Sequence, residues 1–264
     1  MQYISSTQNA LVKKVLQLQE KSRTRKKEGL FVVEGVREIN LVQKGNYIID
    51  TLFFLESLVS EMQINEYAHT DTTLISVSKE VYQKISYRSS TEGIVALVKT
   101  KNHQLNAIHF NTKNPLILVA EAPEKPGNIG AILRTADAAN VDAVFIANPK
   151  TDLYNPNIIR SSVGCVFTNT VATGSTQEII DFLKAQNINI YAATLQNSNG
   201  YHLEDYTTAS AIVVGTEATG LTQEWRDAAK QNINIPMQGQ IDSMNVSVAA
   251  GILIFEAKRQ RNFK

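Results

Sequence analysis

The stretch IPMQGQIDSMNVSVAAGILIFEAKRQR, Ile235 to Arg261, decides how the rest of this chain is read. In its second half Val246, Ala249, Ala250, Leu253, Ile254 and Ala257 fall at i, i+3, i+4, i+7, i+8 and i+11, the spacing of a helix with an apolar face. Val248, Ile252 and Phe255 add a further apolar row, so the predicted helix has to be covered on more than one side, by its own sheet and by a second subunit. Ser243 and Asn245 stand just before it, where a helix start leaves unpaired backbone N–H groups. Two readings of Ser243 and Asn245 stay open: capping of the helix, or a polar loop beside Pro236 and Gly239 that holds a ligand.

Working back from that helix, the text after Pro115 consists of short, nearly continuous apolar runs, LILVA, AVFIA, NIYAA and AIVVG, separated by longer segments with helical spacing. Runs of this kind are parallel strands buried on both faces by helices. Ligands in such sheets bind where loops leave the carboxyl ends of strands. The residues at those places are EAPEKPGNIGAILRTADAAN after LILVA, Thr194 after NIYAA, TEATGL after AIVVG, and PMQGQIDSMN after NINI.

Before Pro115 the grammar differs. LFVVEG, TLFFL, TLISV and GIVALV read as strands with helix-compatible stretches between them, a small α/β domain over residues 1–100. A polar, irregular linker is expected over 101–114, and the second domain over 115–264. His103 and His109 lie in the linker without other ligand-type residues at metal spacing, and are read as surface residues. Between Met1 and Leu30 seven cations (Lys13, Lys14, Lys21, Arg23, Arg25, Lys26, Lys27) face two acids, Glu20 and Glu28. Leu11, Val15 and Leu18 form a helical stripe there, and KSRTRKKEG is expected to be a basic loop whose cations, Arg23, Arg25, Lys26 and Lys27, are either a solvated surface or a phosphate-contacting patch.

Bulk properties exclude several classes. The single cysteine, Cys165, rules out an internal disulfide framework and a Cys-rich zinc site. No run approaches the roughly 18 apolar residues of a membrane span, and the first ten residues are too polar for a secretory signal, so a cytoplasmic location is expected. There is no G-x-G-x-x-G after the first strand of the second domain, no P-loop and no H-E-x-x-H, which argues against a dehydrogenase, an NTPase and a zinc hydrolase. What stands in their place is PGNIG opening a helix, with Arg134 in its second turn and Asp137 three residues on. Those two form either a surface ion pair or, through Arg134, a bidentate grip on a phosphate.

Taken in order, GNIGAILRTA, IVVGTEATGL and the final stretch resemble the three motifs of the SpoU (TrmH-like) RNA ribose methyltransferases of the SPOUT class. The resemblance runs from about Pro115 to Arg261. STQNALVKKVLQLQEKSRTRKKEGLFVVEG is similar, more loosely, to the ribosomal-protein-like substrate-binding domain that precedes the catalytic one in many members. One position departs: Ala218 stands where the second motif usually has glycine. The resemblance implies a trefoil knot in the parallel-sheet domain, a two-fold dimer, and S-adenosylmethionine bound at Thr194, Gly215, Gly220, Ile235 and Met244. It implicates Arg134 and Asn128 in activating a ribose 2′-hydroxyl, Ser243 and Asn245 in orienting the ribose or the Arg, and Glu217 in fixing the loop or the cofactor. Because a guanidinium normally stays protonated, gripping a phosphate and stabilising the developing alkoxide is the favoured role for Arg134. The expected substrate is structured RNA, ribosomal RNA first and transfer RNA second; the rival reading is a non-catalytic RNA-binding scaffold.

Overall fold

The computed structural model describes residues 2–87, 92–216 and 219–263. In chain order the elements are β1 (Gln2–Ile4), α1 (Ala10–Glu20), α2 (Ser22–Glu28), β2 (Leu30–Glu34), α3 (Val36–Lys44), β3 (Ile49–Phe54), α4 (Glu61–Tyr67), β4 (Thr73–Val77), α5 (Lys79–Ile85) and β5 (Ile94–Lys99). They continue with β6 (Leu116–Glu121), α6 (Pro126–Ala139), β7 (Ala143–Ala147), α7 (Pro156–Ser161), β8 (Val171–Gly174), α8 (Thr176–Ala185), β9 (Asn189–Ala193) and β10 (Asn199–Gly200). Last come β11 (Ser210–Val214), α9 (Gln223–Ala228), β12 (Gln231–Asn234) and α10 (Val246–Gln260). The chain divides into two compact units, Met1–Asn102 with Asp152–Thr168, and His103–Thr151 with Asn169–Lys264.

The first unit is a five-stranded sheet ordered β1-β4-β3-β5-β2, in which β5 runs antiparallel to both β3 and β2. Val15 and Leu18 of α1 are fully buried in its core, as the stripe in the sequence requires, but the third fully buried position is Val12, and Leu11, the stripe's first member, is only partly buried against the same core. Two expectations are corrected here. KSRTRKKEG is not a loop: Ser22–Glu28 is the helix α2, closed by Gly29 in the left-handed conformation. Arg25 within it is not on the surface but 3% exposed. Its Nη1 donates to the Leu18 and Gln19 carbonyls at 2.6 and 3.1 Å, and its Nε and Nη2 donate to the Asp152 carboxylate at 2.9 and 2.7 Å. A planar fork with five donors can satisfy such a site, which is why a cation at this position turns inward. The donor of that carboxylate is itself a finding, since Asp152–Thr168 lies in the stretch assigned by its sequence to the other domain. Tyr154 of this segment stacks on Phe31 with ring centroids 4.1 Å apart.

The second unit is a seven-stranded sheet ordered β10-β12-β9-β11-β6-β7-β8, with every pairing parallel. Successive residues of a strand point to opposite faces. Ile117, Val119, Phe145, Ala211 and Val213 therefore share one face, where they pack with Ile179, Ile180 and Leu183 of α8 and Trp225 of α9. The other face is covered by α10 and α6, which pack along each other, with Leu253 and Ile254 of α10 buried. Each such side chain contributes about 1.5–3 kcal/mol on leaving water. From His103 on, the residues expected to be a linker are part of this unit: Gln104 pairs with Thr173, and Leu105, Ile108 and Phe110 pack against the same core.

Candidate active site and cofactor cleft

The strand order places β6 and β11 side by side, while the chain leaving β6 crosses to β7 and the chain leaving β11 crosses to β12. That reversal opens a crevice at the carboxyl ends of the two strands. A cleft of about 430 Å³ lies there, within the usual range for a ligand site. Its wall is drawn from three of the four loops singled out in the sequence: Thr194, Gly215 and Gly220, and Ile235 with Ser243 and Met244. The structure thus brings all five expected cofactor residues to one cavity.

Local chemistry explains the shape of that wall. A Cβ on Gly215 would stand 2.4 Å from the carbonyl carbon of Gly220 and 2.6 Å from the Leu221 nitrogen, so only glycine lets the two backbones meet. Gly220, at φ +64°, supplies the left-handed turn, and its N–H donates to the Thr216 carbonyl at 3.0 Å. Thr194 is held by its N–H on the Ile233 carbonyl at 2.9 Å. Bare backbone at Gly215 and Gly220 thus stands next to the apolar side chains of the wall, a cradle suited to the flat base and sulfonium-bearing chain of S-adenosylmethionine. Glu217 and Ala218 lie outside the described residues.

A second cavity of about 240 Å³ adjoins the first, sharing Gly215, Thr216 and Val246 with it and reaching Lys125 and Asn128 at the start of α6. Pro126 begins that helix, where its missing N–H costs nothing. Asn245 answers the question left open by its position: it is the N-cap of α10, its Oδ1 accepting from Ser247 N at 2.9 Å and Ser247 Oγ at 2.6 Å. Its Nδ2 also donates to Asn128 Oδ1 at 3.1 Å. One side chain therefore both caps the helix and ties the first and third motifs together, without itself lining either cavity. Arg134 is exposed on α6 and is not among the residues that line either cavity.

Glu121 was not singled out among the candidate site residues. It ends β6, is 2% exposed, and accepts from Thr222 N at 2.8 Å, Thr222 Oγ1 at 3.0 Å and Thr176 Oγ1 at 2.9 Å. The carboxylate thereby pins the chain just past Gly220 to α8. Its signal in the sequence was an acid terminating a run of five apolar residues, LILVAE, because a charge at the buried end of a parallel strand needs donors waiting for it. Beside it, Glu224 has its carboxyl held below the usual range by hydrogen bonding to its own backbone N–H and the Thr222 side chain.

The family model described as the SpoU rRNA Methylase family matches residues 115–255, and that of the MRM3-like substrate binding domain matches residues 9–96. The chain is 27% identical over 258 residues to the 23S rRNA (guanosine(2553)-2'-O)-methyltransferase RlmP of Bacillus subtilis, covering 98% of this chain and all of the relative. It is similar to a solved RNA 2'-O ribose methyltransferase, with 37% identity, TM-score 0.83, and 98% and 99% of the two chains covered. An AdoMet-bound rRNA methyltransferase from Sinorhizobium meliloti superposes with TM-score 0.90 at 26% identity, over 98% and 97% of the two chains. A switch-point cleft walled by glycine backbone and joined at Gly215, Thr216 and Val246 to a second cavity, together with these matches, defines an S-adenosylmethionine-dependent RNA 2′-O-methyltransferase. The chain belongs to the SpoU rRNA methylase family.

Proposed function

We propose that this enzyme methylates one ribose 2′-hydroxyl of 23S ribosomal RNA, with the cofactor in the larger cleft and the acceptor ribose in the adjoining cavity. The observation that carries the assignment is the wall the two cavities share at Gly215, Thr216 and Val246, which leaves donor and acceptor no more than a side chain apart. Support for ribosomal over transfer RNA comes from the substrate-binding domain matched over residues 9–96 and from RlmP, matched along its whole length.

The cofactor supplies an already activated methyl group on a sulfonium. The protein's task is placement, which contributes on the order of 7–11 kcal/mol in favourable cases. Asn128 and Asn245, bonded to each other, orient the ribose; Ser243 lines the cofactor side of the same loop. Arg134 sits on the exposed flank of α6, where it grips a substrate phosphate and stabilises the alkoxide as the hydroxyl proton leaves to solvent. Arg23, Lys26 and Lys27 are exposed on α2, and serve as the phosphate-contacting cations that RNA binding requires.

The trefoil knot and the homodimer belong to the same proposal. The knot is supported by the final loop, Met237 to Met244, lying along the cleft wall formed by the earlier loops. The dimer is supported by Val248 and Phe255, 53% and 42% exposed two turns apart on α10, the row for which the sequence demanded a cover. No helix among the described residues is long and apolar enough to cross a membrane, in keeping with a cytoplasmic enzyme.

The test is incubation with labelled S-adenosylmethionine and separate pools of unmodified ribosomal and transfer RNA, followed by mapping of 2′-O-methylation. Label confined to 23S rRNA, and lost in Arg134→Ala while cofactor affinity is kept, is the expected result. Label in transfer RNA alone, or no label in any pool with the cofactor bound, would refute it.

A further inference from the structure

Asp242 carries the sole formal charge among the described residues that line the cofactor cleft; the rest of that wall is backbone, hydroxyl, amide and apolar side chain. It stands immediately before Ser243 and Met244, and three residues before Asn245, whose amide is bonded to Asn128. Asn245 and Asn128 mark where the methyl group has to be delivered, and Asp242 is the charged wall residue nearest to them along the loop.

Methyl transfer changes the charge of what the cleft holds. S-Adenosylmethionine combines a sulfonium, an ammonium and a carboxylate, a net charge of +1. The methyl leaves with neither electron of the carbon–sulfur bond, the electron pair stays on sulfur, and the product S-adenosylhomocysteine is a thioether of net charge zero. The ammonium and carboxylate are common to both, so a fixed anion near sulfur distinguishes substrate from product where shape does not. We propose that Asp242 is the charge-selective residue of the cleft, binding the cationic cofactor in preference to its neutral product and so favouring product exchange. The inference rests on S-adenosylmethionine occupying this cleft.

An exposed carboxylate beside a cation contributes only modestly, about threefold to tenfold in affinity, and less as salt is added. Calorimetric titration of the full chain with three ligands reads that effect directly: S-adenosylmethionine, S-adenosylhomocysteine, and sinefungin, which carries a protonated amine in place of the sulfonium and has no methyl to transfer. Asp242→Asn is expected to weaken both cationic ligands about threefold to tenfold while S-adenosylhomocysteine changes less than about twofold, with the difference shrinking at high ionic strength. Asp242→Glu is expected to keep the preference. A parallel loss for all three ligands would make Asp242 a structural residue of the loop and overturn the proposal, as would unchanged ratios in Asp242→Asn. Wild-type protein that binds none of the three would instead remove the cofactor from this cleft, and the proposal with it.

Discussion

Arg25 offers the sharpest test, because sequence and structure assign it opposite roles. As a surface cation it would contribute to RNA affinity and nothing to stability. As the structure has it, Arg25→Ala strands the Asp152 carboxylate and leaves the Leu18 and Gln19 carbonyls without their donor. Breaking a buried pair by removing one partner costs about 3–5 kcal/mol. The Asp152 side chain keeps 27% exposure and can hydrate, which places the loss near the lower end, about 3 kcal/mol. In a unit of roughly 120 residues that lowers its melting temperature by about 10 °C. Arg25→Lys keeps the charge but not the fork, and should recover less than half of the loss. The assay is a denaturation scan of both variants beside Arg23→Ala/Lys26→Ala/Lys27→Ala. That triple variant should melt like wild type while the slope of log affinity for RNA against log salt flattens by about 2. An Arg25→Ala protein with unchanged melting and a flattened salt slope would refute the reasoning.

Gly215→Ala places a methyl 2.4 Å from the Gly220 carbonyl carbon, so calorimetry should show cofactor affinity reduced by at least about tenfold in a protein whose circular dichroism is unchanged. Glu121→Gln keeps the volume but turns an acceptor into a donor towards Thr222 or Thr176; it should cost about 1.5–3 kcal/mol in chemical denaturation and weaken the cofactor as the second-motif loop loosens. The buried Tyr82 hydroxyl, which accepts from Gly93 N at 3.0 Å, is pushed up to about 12 by burial. Folded Tyr82 holds its proton more tightly than the unfolded chain, so its contribution is complete below about pH 10 and is lost as pH rises from there to about 12. Tyr82→Phe should flatten stability against pH across that window, and an unchanged profile would show that another group governs alkaline unfolding.

The longer strands of both units and the final helix were legible in the residues themselves. Buried parallel strands have to be continuous apolar runs, and α10 has to repeat its apolar residues at helical spacing, so periodicity alone located β6, β7, β9 and β11 and the final helix. The three loops of the site followed, because in such a sheet ligand residues sit after strands. Shorter elements escaped: β1, β8 and β10 have two to four residues, too few for a period to register. Contacts between residues distant in sequence escaped for a different reason. Nothing near Arg25 reveals that Asp152, 127 residues away, supplies its partner, nor that Asn245 bonds to Asn128 across 117 residues. Spacing along the chain sets which face of its own element a side chain occupies. What that face meets is decided by the sheet order and by which segments the unit recruits, and so only the tertiary structure could turn one cation of a basic run inward and leave its neighbours in water.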